Sequence, residues 1–172
     1  MGKLNILKRL ISYQTDGDVN NINECMEYIA NFLKEKGWQV EFVTNSTDGK
    51  KNLIACLNSE LRNISDGLIL SGHIDTVTAN KAEWQTNPFV LTRQENYLIG
   101  LGVADIKEKY KLNECLYNAS TESGYFQNLG VDCVIFGAGD IGVAHSVNES
   151  IEESQMQQYS DIVLSIIRDV CC

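Results

Sequence analysis

Gly67-Leu68-Ile69-Leu70-Ser71-Gly72-His73-Ile74-Asp75-Thr76-Val77 is the stretch on which the reading of this chain turns. The apolar run Leu68-Ile69-Leu70, bounded by glycine, reads as a short buried strand. It delivers His73 and Asp75 to its C-terminal end, the place where ligands collect in an open α/β sheet. Residues two apart in an extended segment point to the same face, so the imidazole and the carboxylate address one object. An imidazole on a metal, with an acid behind it fixing the ring tautomer, is a recurring arrangement. The plain alternative is a capped strand end followed by a turn, and the pair alone leaves both readings open.

Upstream, Leu4, Ile6, Leu7, Leu10 and Ile11 form a helical stripe, predicting a first helix over 3–12. The turn Thr15-Asp16-Gly17-Asp18 also supplies an N-cap to a second helix over 20–36, with Ile22, Met26, Ile29, Phe32 and Leu33 facing inward and Gly37 as its stop. The segments 38–43 and 52–57 read as strands around the polar turn 45–51, and 67–71 as a third strand. Downstream, the loop 78–88 carries Trp84 and the only proline, Pro88. Residues 89–93 and 97–101 suggest a hairpin around Gln94-Glu95-Asn96. Asp105 then follows a glycine-containing loop and precedes a helix-like segment, 107–120. Taken alone, it is an N-cap worth about 1 kcal/mol or a metal ligand. Residues 131–136 read as a buried strand, Gly137-Ala138-Gly139-Asp140 as a flexible loop that leads to His145, and 149–170 as a last helix. Its apolar side is Ile151, Met156, Tyr159, Val163, Ile166 and Ile167.

Composition narrows the function classes. The 172 residues make one domain's worth of chain. A formal net charge of −9, with Lys50-Lys51 as the longest basic cluster, argues against nucleic acid as partner. No run has the length of a membrane span, and a secretory leader pattern is missing, so no membrane partner and a cytoplasmic location are expected. The six cysteines show no C-x-x-C spacing. Cys56 and Cys133 sit in apolar runs and are expected as small core residues, and a reducing compartment suits the set. Both histidines, His73 and His145, fall in loops after expected buried strands. That favours a metal site, since imidazole and carboxylate are common zinc ligands.

Several segments taken together resemble a known family. Ser71-Gly-His73-Ile-Asp75-Thr-Val, the loop from Trp84 to Asn87-Pro88-Phe89, and Gly100-Leu-Gly102-Val-Ala-Asp105-Ile-Lys107 are similar to the first half of the co-catalytic zinc aminoacylase and carboxypeptidase family. That family includes acetylornithine deacetylase, succinyl-diaminopimelate desuccinylase and carboxypeptidase G2. Thr121-Glu122-Ser123-Gly124-Tyr125-Phe126 and the run from Phe136-Gly-Ala-Gly139-Asp140 to His145-Ser-Val-Asn148-Glu149 resemble its last catalytic segment, in the acetylornithine deacetylase branch most of all. The resemblance implies a three-layer α/β/α zinc-exopeptidase-like catalytic domain, truncated, with a mixed sheet flanked by helices. It implies His73 and His145 as ligands of the two metals, Asp105 as the carboxylate bridging them, and Asp75 as the catalytic acid that orients His73. Glu122 and Gly139 fall in segments it places near the substrate. It further implies zinc, one or two ions with cobalt or manganese as substitutes, and hydrolysis of an N-acyl amino acid or small peptide by a metal-activated water.

Departures from the pattern bear on that activity. The Gly-Gly that follows the family's Asp-x-Lys is replaced by Glu108-Lys109. The family's Glu-Glu pair (general base and zinc ligand), a further acidic ligand and an inserted lid and dimerisation domain have no counterpart. The expected organisation is one catalytic-type domain over 1–172: an N-terminal portion over 1–107, a shortened junction over 108–120 and a C-terminal portion over 121–172. Each metal is then at least one protein ligand short of the three usual in a catalytic site. Glu108, Glu114 and Glu122 are substitutes within reach of the sequence, whereas Glu152-Glu153 reads as solvated helix surface. Two readings stay open: a minimal deacetylase-type hydrolase, and an inactive remnant that keeps the fold and a partial metal site as a binding module at most. A shortened piece of a longer enzyme is a third. Uncovered sheet edges predict self-association.

Overall fold

The structure, a computed structural model, describes residues 2–57, 67–104, 123–133, 135, 137–139 and 142–171. It is a mixed α/β arrangement. Helix α1 spans Lys3–Ile11 and α2 spans Val19–Lys34. Of the expected capping turn, Asp18 is the residue that caps α2: its carboxylate accepts from the Asn20 N–H at 2.8 Å and the Asn21 N–H at 3.3 Å. At the other end Gly37 adopts φ +85°, the left-handed conformation that lets the Trp38 N–H turn back to donate to the Leu33 carbonyl at 3.1 Å.

Strands β1 (Gln39–Thr44) and β2 (Lys51–Cys56) pair antiparallel, with Gln39 opposite Cys56 and Thr44 opposite Lys51. One face of this ribbon packs on α2, where Asn23 accepts from the Lys51 N–H at 2.9 Å and Lys51 pairs with Glu27 at 2.5 Å. The other face carries the exposed Val43 and Ile54. A second sheet has the order β3-β4-β5, all antiparallel: β3 is Thr92–Gln94, β4 Tyr97–Ile99 and β5 Ser150–Glu152. Glu95, at φ +52°, makes the turn of the expected hairpin. Helix α3 covers Ser123–Asn128 and α4 covers Glu153–Cys171. The core joins Ile11, Leu98, Val103, Ala104, Ala138 and Ile151, with Leu4, Leu7, Met156 and Tyr159 packed around it. The loop that leads to position 105 is therefore anchored in the core itself.

The α/β class holds, but the described strands form two antiparallel sheets rather than one mixed sheet. Residues 67–71 are not a strand, and Ile69 and Leu70 are exposed. A strand needs a neighbour to take its backbone N–H and C=O groups, and this run pairs with none of the described strands. The described residues of 131–136 are likewise not in a strand, and Val131 and Ile135 are partly exposed. The expected helix over 149–170 starts later, because residues 150–152 pair with β4 instead. Cys56 and Cys133 are only partly covered, whereas Cys25 on α2 is buried, 1% exposed. Burial pushes the Cys25 thiol up to about 11, against a smaller lowering by Arg9. It therefore stays protonated and inert at neutral pH. The expected helix over 107–120 lies outside the described residues.

Candidate metal centre

Thr15, in the turn between α1 and α2, holds the His73 segment in place. Its own side chain is buried. Its hydroxyl donates to the Ile74 carbonyl at 2.5 Å, and its carbonyl accepts from the Thr76 N–H at 3.3 Å. Ile74 and Thr76 are thereby drawn inward, and the alternation of an extended chain turns His73 and Asp75 to the opposite, exposed side. Thr15→Val, which keeps the shape and removes the donor, is expected to cost about 1–2 kcal/mol, read as a fall in Tm.

On that face the ring of His73 meets Asp75. Nδ1 lies 3.1 Å from Asp75 Oδ1 and 3.1 Å from the Asp75 carbonyl oxygen. A carbonyl oxygen can only accept, so Nδ1 carries the proton and, in the neutral ring, Nε2 holds the lone pair. This is the tautomer a metal-binding imidazole needs, with a carboxylate fixing it from behind. The donor chemistry at His73 thus fits zinc. The side chains of His73 and Asp75 are 48% and 68% exposed.

The other expected site residues are placed less completely. His145 is exposed, at φ +61°, in a turn closed by the Ser146 N–H and hydroxyl donating to the Val143 carbonyl. A left-handed backbone at a non-glycine residue is a feature that clusters at functional sites. Gly139 is buried at φ +112°. Asp105 and Glu122 lie outside the described residues, as do Glu108 and Glu114. Glu152 and Glu153 are in β5 and at the start of α4, where Glu153 pairs with Arg93 at 2.7 Å. Among the described residues, no three His, Cys, Asp or Glu side chains come together as a metal cage.

The segments that carry these residues are stitched to one another. Gly102, at φ +79°, packs so closely on Thr76 that an added Cβ would stand 3.0 Å from Thr76 Cγ2. The Leu101 N–H donates to the Pro88 carbonyl at 2.8 Å, and the Gln85 N–H to Asn148 Oδ1 at 2.7 Å. Glu149 completes the set. Its side chain is fully buried and accepts from the N–H groups of Gly102 at 3.0 Å and Ala104 at 2.6 Å. Sequence reasoning missed both Glu149 and Thr15. For Glu149 no local signal existed: it falls at the start of the expected helix, and only the pairing of 150–152 with β4 takes that stretch out of the helix.

Comparison with known proteins finds similarity to acetylornithine deacetylases of several bacteria. Acetylornithine deacetylase of Proteus mirabilis (strain HI4320) is 40% identical over 95 residues, which cover 54% of this chain and 24% of that protein. Its counterpart in Edwardsiella ictaluri (strain 93-146) is 35% identical over 121 residues, 62% of this chain and 30% of the other. That of Buchnera aphidicola subsp. Acyrthosiphon pisum (strain Tuc7) is 29% identical over 114 residues, 63% and 29%. Among solved structures, human carnosine dipeptidase 1 matches 56% of this chain and 23% of its own, at a TM-score of 0.48 and 22% identity. No family model matches the sequence. The chain spans between 24% and 30% of the length of these curated relatives. Over the matched stretch of its length, this chain is similar to the acetylornithine deacetylases.

Proposed function

We propose that this chain is a single catalytic-type domain of a zinc-dependent amidohydrolase acting on an N-acyl amino acid of the acetylornithine kind or on a small peptide. The observation that carries the reading is the double contact of His73 Nδ1 with Asp75, which leaves the lone pair on Nε2. His73, Asp105 and His145 would hold the metal, with Asp75 keeping the His73 ring oriented. Glu122 and Gly139 would lie along the substrate. Bound zinc would supply Lewis acidity toward the amide carbonyl and make a water acidic enough to act as a nucleophile near neutral pH. This chain's own role is to place imidazole and carboxylate donors and to position the acyl group beside them.

A second reading is favoured by one specific feature, Glu108-Lys109 where the family has Gly-Gly, with no Glu pair beyond it. In that reading the chain keeps the fold and a partial metal site and turns nothing over. Hydrolysis of N-acetylornithine by the zinc-loaded chain decides between them. Turnover that is lost in His73→Ala supports the hydrolase, and stoichiometric zinc without turnover supports the remnant. The exposed Ile54, Ile69 and Leu70 support self-association as well. Size-exclusion chromatography is expected to give a concentration-dependent dimer or larger species, and a stable monomer at high concentration contradicts it.

A further inference from the structure

The C-terminal portion of the chain meets the N-terminal one as an extended segment laid along a strand. β5 adds to the side of β4 that β3 leaves open, and the buried Ile151 stands opposite the buried Leu98. Two positions earlier, the fully buried Glu149 engages the backbone that follows β4. Its carboxylate accepts from the N–H groups of Gly102 at 3.0 Å and Ala104 at 2.6 Å, and its main-chain carbonyl from the Gly100 N–H at 3.1 Å. The Glu153 N–H closes the far end on the Asn96 carbonyl at 2.9 Å. Met156 of α4 then packs against the core to which Leu98 belongs.

This is the geometry by which a sheet takes up an extended peptide: main-chain bonds of strand addition hold it, and alternate side chains specify it. We infer that residues 148–156 are a docking segment seated on β4 and the loop 100–104, and that the same segment of a second copy takes this seat in exchange for the chain's own. The chemistry recognised is an extended acid-x-aliphatic run, Glu149 and Ile151, with the acid bound to backbone N–H groups by charge-assisted bonds. None of the contacts above runs through residues 105–122, which join the two portions in sequence. Each is therefore reproduced when the segment arrives from another molecule, so exchange forfeits none of them. Tethering gives the chain's own segment an effective concentration in the millimolar range. Exchange is accordingly favoured by refolding at high protein concentration. Because it is reciprocal, it closes as a two-fold dimer and does not grow into a filament. The inference rests on the self-association reading above and is independent of the zinc-site reading.

The test uses the full chain with a protease site inserted between Lys111 and Leu112. The chain is refolded from urea at high concentration, its dimer is isolated by size-exclusion chromatography, and the inserted site is then cut. The expected result is that the dimer falls to complexes of one chain's mass, each holding both pieces. A dimer that keeps its size after the cut is held by another surface and brings down this inference alone. A chain that stays monomeric at every concentration brings down the self-association reading and this inference with it. Pieces that part from each other after the cut overturn the seat itself. In the cut complex, Glu149→Ala is expected to raise the Kd between the pieces about tenfold or more. Arg93→Ala, which removes only the exposed pair with Glu153, is expected to raise it about threefold or less. Equal effects at the two positions overturn the inference. If Glu149→Ala does not fold, the cut of the otherwise unaltered chain still decides.

Discussion

Replacing Glu149 by Ala is expected to destabilise the chain by about 3 kcal/mol, the sum of one buried N–H group (Ala104) and one part-buried N–H group (Gly102) left without this acceptor, at about 1–3 kcal/mol each. For a domain of this size that is a fall in Tm of roughly 10 °C. The cost is large because Ala104 is fully buried and Glu149 has no exposed surface, so water does not replace the carboxylate without opening the core. The ion pairs Lys51–Glu27 and Arg93–Glu153 offer the contrast. Each has at least one side chain about two-fifths exposed or more. Removing either acid is expected to cost about 0.5 kcal/mol or less. Thermal denaturation of the three variants side by side checks the ranking, and an equal, small effect at all three positions contradicts it.

The largest functional effect belongs to His73→Ala. Loss of a first donor from a site already short of ligands is expected to weaken zinc about 100-fold or more, whereas Asp75→Asn weakens it about tenfold. The difference follows from geometry. Asp75 engages Nδ1 through both its carboxylate and its main-chain carbonyl, each at 3.1 Å, and the carbonyl survives the substitution. Since the His73 side chain is about half exposed, neither change is expected to move Tm appreciably. Titration against a chromophoric chelator reads both affinities. Equal zinc Kd values for His73→Ala and the wild type would falsify the assignment of His73 as a ligand.

Much of the first half of the fold was legible from local signals. The stripe of Leu4, Leu7 and Ile11, the capping turn Thr15-Asp16-Gly17-Asp18, the Gly37 stop and the turn around Gln94-Glu95-Asn96 are all properties of neighbours in sequence. They place α1, α2, β1, β2 and β4 within two residues, while β3 starts three residues later than expected. What failed was whatever depended on a distant partner. Leu68-Ile69-Leu70 has the composition of a buried strand, but an apolar run is a strand only where another strand is available to pair with it. Ser150–Glu152 reads as the first turn of a helix until β4 is there to pair with it.

The candidate site divides along the same line. His73 and Asp75 were legible because period-two alternation alone puts them on one face. The role of Thr15 was not, since its contact with Ile74 spans 59 positions. In the sequence Glu149 reads as the start of a helix. Nothing local distinguishes a solvated acid at a helix start from a buried one whose acceptor role is filled by N–H groups 45 and 47 positions away.

The central claim is that His73 and His145, 72 positions apart in sequence, serve one metal centre. Zinc content per chain, measured by elemental analysis after purification without chelator, tests it directly in the wild type, His73→Ala and His145→Ala. At least one zinc in the wild type, with each single variant losing metal, is the predicted result. A wild type without zinc, or zinc that His145→Ala leaves untouched, contradicts it.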